Sequence, residues 1–183
     1  MIRIVDVCHK YGETVVLDNL SLELPDSGLI TVMGESGTGK TTFLRILSGI
    51  LTPTSGTVLG LSDRIISIAF QEPRLLEWRT AIENVALVSN REIAMNILCS
   101  LSMEENLNKR ASELSGGQKQ RVSLARAFAF GTDVVLLDEP FSGLDAKNRV
   151  LVANWIHKCR LAIVVTHDPS DLILLHPDKK INL

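Results

Sequence analysis

The chain has 183 residues, enough for one well-packed domain and hardly for two. Apolar residues make up 45% and aromatic residues 4%, which suits an aliphatic α/β core, and a net charge of −2 gives no basic field for nucleic acid, so no nucleic-acid partner is expected. No uninterrupted apolar run approaches the ~20 residues of a membrane helix and no signal peptide opens the chain, so we expect a soluble cytosolic protein.

The N-terminal half reads mainly as strands. A turn at Tyr11-Gly12 separates two β-rich segments, and a later apolar run ends at a glycine-rich loop, as a buried strand feeding a turn would. The predicted strands are Ile2–Val7, Val15–Leu24, Leu29–Met33 and Ile65–Phe70, with a helix over Thr42–Gly49.

The C-terminal half alternates helices with apolar strands. Residues 80–110 look mostly helical, and a further helix is predicted over Gln118–Phe130. The apolar runs Val134–Leu137 and Ala162–Val165 end at polar residues, which predicts a parallel sheet with its ligand at the carboxyl ends of the strands. Leu172–Leu175 and Lys179–Asn182 read as a closing hairpin.

Residues 34–41 read Gly-Glu-Ser-Gly-Thr-Gly-Lys-Thr and follow a predicted strand. Glycines let such a loop turn its N–H groups inward onto phosphate oxygens, and the following helix adds a positive N-terminal dipole. Lys40 supplies a point charge for the β- and γ-phosphates, and the Thr41 hydroxyl can ligate Mg²⁺. The flanking strand and helix disfavour a glycine-rich loop without function. The predicted phosphate-binding set is Gly34, Glu35, Ser36, Gly37, Thr38, Gly39, Lys40, Thr41 and Thr42.

Two adjacent carboxylates follow the apolar run at 134–137. Asp138 is placed to hold Mg²⁺ directly or through water, and Glu139 lies where a general base for an attacking water is needed. Such a pair can instead cap a helix, but the glycine loop in the same chain favours the metal site.

A second anion-binding site is predicted where Leu114-Ser-Gly-Gly-Gln118 leads into a helix, because small residues there leave the helix N-terminus open. One chain cannot easily place this site and the glycine loop on the same phosphate chain. Together, the glycine loop, Val134–Glu139 and Leu114–Gln118 resemble the ATP-binding cassette (ABC) ATPases, and the resemblance runs from Tyr11 to His167.

The resemblance implies an α/β fold of the P-loop NTPase type. It has a RecA-like mixed or parallel sheet, an N-terminal antiparallel β part and a small α-helical subdomain that carries the signature Leu114–Gln118. The expected organisation is a single ABC ATPase domain over residues 1–183. Its core would be residues 1–71 and 131–183, and its helical subdomain about 72–130.

The resemblance also implies residue roles. Gln71 would contact the metal and the attacking water, His167 the γ-phosphate and Tyr11 the adenine, although Tyr11 could instead be a core aromatic at a strand edge. The implied catalytic residues are Glu139, His167, Gln71 and Lys40, and the implied metal ligands are Thr41, Gln71 and Asp138. Beyond the loop, the implied nucleotide contacts are Tyr11, Ser115, Gly116, Gly117, Gln118 and Asp145.

In the resembled family, two cassettes pair head to tail around two ATP molecules. Each ATP lies between one chain's loop at 34–41 and its partner's residues 115–118. The implied cofactors are therefore ATP and Mg²⁺. The implied partners are a second ABC ATPase chain, identical or different, and transmembrane permease subunits, which place the protein peripherally on the inner face of the cell membrane.

Gln71–Thr80 is similar to the same stretch in importer ATPases of the nitrate, sulfonate and taurine group, where it faces the permease. We therefore expect an ATP-hydrolysing importer subunit. Trp78 would dock the permease or pack in the core. The chain is shorter than such relatives between residues 71 and 114, so a small helical subdomain is expected.

Two other classes stay open. One is a soluble, non-transport ABC ATPase acting on DNA or ribosomes. Members that act on DNA need a long coiled-coil insertion, which this chain lacks, and members that act on ribosomes carry two cassettes, whereas this chain has one. The other is a regulatory module that binds ATP and hydrolyses it poorly, against which Glu139 and His167 argue.

Overall fold

Two sheets with helices packed around them make up the structure, a computed structural model that describes residues 1–35 and 37–183. Ser36, predicted in the phosphate loop, lies outside the described residues. The strands are β1 (Ile2–Tyr11), β2 (Thr14–Leu24), β3 (Gly28–Met33), β4 (Ser55–Leu59), β5 (Ile66–Ala69), β6 (Val134–Asp138), β7 (Leu161–Thr166) and β8 (Lys179–Asn182). The helices are α1 (Lys40–Leu47), α2 (Ala81–Ala86), α3 (Arg91–Ser100), α4 (Gly116–Ala129), α5 (Ala146–Ile156) and α6 (Pro169–Leu175).

The smaller sheet is antiparallel, with strand order β2-β1-β4. Alternate residues of β1 are buried, including Ile2 and Ile4, and they pack with Phe43 of α1 and Ile30 of β3. The antiparallel β part predicted for the N-terminus is present. Strand β4 escaped prediction because its five residues are mostly exposed and show little apolar alternation.

The larger sheet has strand order β5-β6-β7-β3-β8, and all of its neighbouring strands are parallel. Strands β6 and β7 are buried along their whole length, as continuous apolar runs covered on both faces require. In register, Asp138 lies opposite Val165, and Met33 lies opposite Thr166. The carboxyl ends of β3, β6 and β7 therefore meet at one edge of the sheet.

The predicted closing hairpin is wrong. Pro169–Leu175 is helix α6, and β8 pairs in parallel with β3 instead of folding back on the segment before it. Asp168 caps the helix by accepting a hydrogen bond from the Ser170 N–H at 2.8 Å, and Pro169 fits the first helical turn. These start signals outweigh the strand propensity of the short apolar run Leu172–Leu175.

The stretch predicted as mostly helical contains α2 and α3, with turns and short 3₁₀ segments (Glu104–Asn106 and Ala111–Glu113) filling the rest. Thr80 and Glu83 form a capping box at the start of α2, and Asn90 caps α3. Both helices pack on α4 around a cluster that includes Leu98 and Leu124. Within the described part of the chain, no helix combines the length and the apolar character needed to span a bilayer.

A substitution at Leu136 would test the assignment of β6 to the core, because the Leu136 side chain is fully buried there. We expect Leu136→Ala to lower the free energy of unfolding by about 2–5 kcal/mol, since the truncated side chain leaves a cavity. Urea denaturation would measure the change. As a control, Ile173→Ala on α6, where the side chain is 73% exposed, should change stability by no more than about 0.5 kcal/mol. Equal effects of the two substitutions would contradict this assignment of the core.

Candidate active site

A cleft of about 410 Å³ opens at the edge where β3, β6 and β7 end. Residues from both sheets line it, and all but one of them were predicted as site residues. The exception is Val16 of β2, which no motif marks. The lining residues are Tyr11, Val16, Gly37, Gly39, Lys40, Thr41, Thr42, Gln71, Asp138, Glu139 and His167.

The glycine loop has the backbone geometry expected of a phosphate cradle. Gly37 and Gly39 have φ of 88° and 92°, in the left-handed region that favours glycine. A Cβ on Gly39 would lie 2.7 Å from the Val16 carbonyl oxygen, so the loop passes close against β2. Gly39 is the N-cap of α1 and has no side chain to bond the first helical N–H groups, which leaves them for an anion.

Lys40 directs its charge into this loop. The side chain is buried, and its ammonium group donates hydrogen bonds to the carbonyl oxygens of Gly34 at 2.8 Å and Glu35 at 2.7 Å. The Thr38 hydroxyl donates to the same Glu35 oxygen at 3.0 Å. A lysine ammonium has three protons, and among the described residues two of them are used by these carbonyl oxygens.

Thr41 and Asp138 place two oxygen atoms that could ligate a metal ion next to each other, beside Lys40. The Thr41 hydroxyl donates to Asp138 Oδ2 at 2.6 Å, and Gln71 lines the same cleft. Burial raises the pKa of Asp138, while the Thr41 hydrogen bond and the charge of Lys40 oppose that shift. Across residues 1–35 and 37–183, no group of three or more His, Cys, Asp or Glu side chains could hold a metal by itself. Mg²⁺ usually takes one or two carboxylates plus phosphate oxygens and water, so a site with one carboxylate and one hydroxyl fits it.

Glu139 and His167 lie next to each other in the cleft. His167 Nδ1 and Glu139 Oε1 are joined by a hydrogen bond of 2.7 Å, and this bond raises the pKa of His167. The backbone of Glu139 is left-handed, with φ of 49°, which is costly for a residue with a side chain and is typical of functional positions. Its N–H donates to the Val165 carbonyl oxygen at 2.9 Å, so β7 holds the turn that aims this carboxylate.

Tyr11 lies at the rim of the cleft at the end of β1. Its side chain is 47% exposed, which argues against a core aromatic. The ring meets His9 edge-on, with centroids 4.8 Å apart and an interplanar angle of 78°. A buried neighbour therefore holds the ring in place, while about half of the Tyr11 side chain stays exposed.

The residues of the Leu114–Gln118 signature lie elsewhere. Ser115, Gly117 and Gln118 line a second cavity of about 340 Å³ with Asp145, and none of the four lines the first cleft. Ser115 and Gln118 form a capping box at the start of α4, and a Cβ on Gly117 would lie 2.7 Å from the Gly143 carbonyl oxygen. Asp145 caps α5, and the Asn148 N–H that it binds lowers its pKa.

Helix α4 links the two cavities through contacts that sequence reasoning missed. The buried Gln120 amide lies 3.5 Å from the Glu139 carbonyl oxygen and 3.4 Å from that of Pro140. Arg126 donates to the carbonyl oxygens of Pro73 at 3.1 Å and Arg74 at 3.0 Å, in the loop after Gln71. Every residue has a backbone carbonyl, so these acceptors cannot be recognised from the sequence. The long polar side chains of Gln120 and Arg126 were the signal available for these bonds.

The cleft and the parallel sheet define a P-loop ATPase. The ABC transporter family model matches residues 17–142. Aliphatic sulfonates import ATP-binding protein SsuB 1 of Rhodococcus jostii is 39% identical over 94% of this chain and 75% of its own length, and SsuB of Escherichia coli K12 is 38% identical over 97% and 77%. The chain belongs to the ABC transporter family and is an ATP-binding, ATP-hydrolysing cassette of it.

Solved structures agree with this membership. The ATP-binding cassette MJ0796, dimeric and bound to ADP and Pi, superposes with a TM-score of 0.88 at 29% identity, covering 100% of this chain and 94% of that one. A second dimeric MJ0796 structure gives a TM-score of 0.86 at 30% identity, with the same coverage. The fold class predicted from the sequence is confirmed.

The hydrogen bond between His167 and Glu139 can be tested by titration. We expect the His167 pKa to lie above the ordinary 6.5 in the wild type and to fall toward it in Glu139→Gln, because the charge that stabilises the imidazolium is removed. Histidine side-chain NMR across a pH series would measure both values. His157 and His176 are internal references; an unchanged His167 value in the variant would contradict the contact.

Proposed function

We propose that this chain powers a membrane importer and that two cassettes close head to tail around two ATP molecules to do so. The observation that carries the proposal is the separation of the two cavities. The proposed hydrolytic groups line the first cleft, whereas the capped N-terminus of α4 lines the second. The helix dipole and the N–H groups of the first turn favour an anion at that second position. A second chain related by two-fold symmetry would bring its α4 to the first chain's cleft and complete two equivalent sites.

The proposed nucleotide contacts follow from the cleft. The N–H groups of the glycine loop and the ammonium of Lys40 would bind the phosphates, and the adenine would stack on Tyr11. Thr41, Asp138 and Gln71 would hold Mg²⁺, which neutralises charge on the phosphate oxygens when bound. Across the dimer, Ser115 and the glycines after it would bind the partner's nucleotide, with Asp145 beside them.

Hydrolysis would use Glu139 as the general base. As water attacks the γ-phosphorus, its proton passes to the Glu139 carboxylate and the bond to the bridging oxygen breaks, so that ADP leaves. His167 would orient that carboxylate through the 2.7 Å hydrogen bond, and its exposed ring would also contact the γ-phosphate. The direct contact of these two side chains supports an active hydrolase over a module that merely binds ATP.

The import role rests on the relatives and on one surface. The similar proteins described above are named as import ATP-binding proteins, and the similar structures are dimeric. Trp78, in the stretch that faces the permease in the resembled importers, is 70% exposed. The alternative that Trp78 packs in the core is therefore wrong, and we assign it to the permease-docking surface. Such docking would place the chain peripherally on the inner face of the cell membrane.

Lys40 tests the nucleotide site. Lys40→Ala should raise the Kd for ATP roughly ten- to a hundredfold, because hydrogen bonds to charged groups contribute about 1.5–3 kcal/mol. Isothermal titration calorimetry would measure the affinity. The matched control is Lys119→Ala, since Lys119 lies outside the cleft and pairs with Glu77 at 3.1 Å. Unchanged affinity in the Lys40 variant would remove Lys40 from phosphate binding.

The composite site is tested in Glu139→Gln, which should keep ATP bound and unhydrolysed. Light scattering should then show a dimer with ATP and a monomer without it. Adding Ser115→Arg should leave ATP binding to the monomer intact and abolish the dimer, because the new side chain fills the second cavity. Ser112→Arg, at an exposed position outside that cavity, should still allow pairing. A Glu139→Gln protein that binds ATP and stays monomeric would refute self-pairing.

A further inference from the structure

A cluster of charged and polar side chains lies beside His167, where Arg149, Asp168 and Asp171 line a small cavity together with Glu139 and His167. Arg149, on the first turns of α5, donates to Ser170 Oγ at 3.0 Å, lies 3.4 Å from Asp168 Oδ2 and pairs with Asp171. Its guanidinium also lies 5.4 Å from the centroid of the Phe141 ring. One side chain thus contacts both the segment after Glu139 and the segment after His167.

The carboxylate of Asp171 is the centre of this cluster. Its side chain is 3% exposed and accepts hydrogen bonds from Arg149 and from the Thr166 hydroxyl. Burial raises the pKa of Asp171, and the charge of Arg149 favours the ionised form. A buried carboxylate whose cationic partner is removed is strongly destabilised, so the position of Asp171 depends on Arg149.

The cluster fixes the backbone on both sides of His167. Thr166 precedes His167 and bonds Asp171, while the Asp168 N–H, which follows His167, donates to the Thr166 hydroxyl at 3.1 Å. Asp168 is also held by Arg149. His167 itself is largely exposed and has little packing of its own, so its neighbours must set the direction of its ring.

We propose that Arg149 is a positioning residue for ATP hydrolysis: through Asp171 and Thr166 it holds the His167 loop so that His167 meets Glu139. The inference rests on the proposed roles of Glu139 and His167. Arg149 does not line the cleft that holds the glycine loop and Lys40, so its loss should affect turnover and leave nucleotide binding in place. The same side chain lies on the helix capped by Asp145, which connects the loop to the surface of the second cavity.

The test is Arg149→Met. We expect kcat to fall roughly ten- to a hundredfold, as small misplacements of catalytic groups do, with the KM for ATP within about twofold of the wild type. The NMR resonances of the His167 side-chain nitrogens should move toward those of Glu139→Gln, because the hydrogen bond to Glu139 is loosened. Arg160→Met is the matched control, since Arg160 makes an exposed ion pair with Asp133 at 3.1 Å outside the cluster, and it should behave as the wild type.

A purely structural role is separated by the double variant Arg149→Met with Asp171→Leu. It removes both buried charges together, a replacement that often restores stability. The proposal expects kcat to stay low in a folded double variant, because Thr166 and Asp168 still lack their anchors. Recovery of kcat along with thermal stability would overturn it, as would wild-type kcat in Arg149→Met. If Glu139→Gln retained full turnover, the hydrolytic assignment itself would fail, independently of Arg149.

Discussion

The structure depends on the parallel pairing of β6 between β5 and β7. All residues of β6 and β7 are buried, so their backbone groups must find partners within the sheet, and this fixes the register. Because Asp138 lies opposite Val165, the N–H of Glu139 donates to the Val165 carbonyl oxygen. His167 follows the last residue of β7, the strand next to β6. Strand β3 on the far side of β7 delivers the glycine loop to the same edge.

Two buried carboxylates near this edge of the sheet have the same kind of surroundings. Asp138 and Asp171 are both buried carboxylates whose pKa is raised by burial. Each accepts a hydrogen bond from a threonine hydroxyl and lies near a cation, and both contacts oppose the rise in pKa. For Asp138 these groups are Thr41 and Lys40, which line the cleft. For Asp171 they are Thr166 and Arg149, which do not line it. One arrangement faces the proposed nucleotide, and the other supports the loop that completes the cleft.

In the proposed dimer, each chain supplies its two cavities to two different sites. Helix α4 begins at the second cavity, and its buried Gln120 amide reaches the carbonyl oxygens next to Glu139. The segment after Glu139 continues to Asp145 at the same second cavity. In the proposed dimer, a partner at the second cavity would touch elements that are hydrogen-bonded to the turn that carries Glu139, which offers a physical route between pairing and hydrolysis.

Local patterns predicted many chemical groups of the cleft and the strands that carry them, because glycines, a lysine and paired carboxylates after apolar runs can be recognised along the chain. Such patterns predicted the glycine loop, Asp138 and Glu139, whereas Tyr11, Gln71 and His167 came from the family resemblance and Val16 was not predicted. Tertiary structure decided what those patterns leave open: the exposure of Trp78, the pairing of β8 with β3, and the bonds from Arg149 to Asp171. Those features join residues far apart in the chain, and their energies come from packing and burial that no local pattern contains.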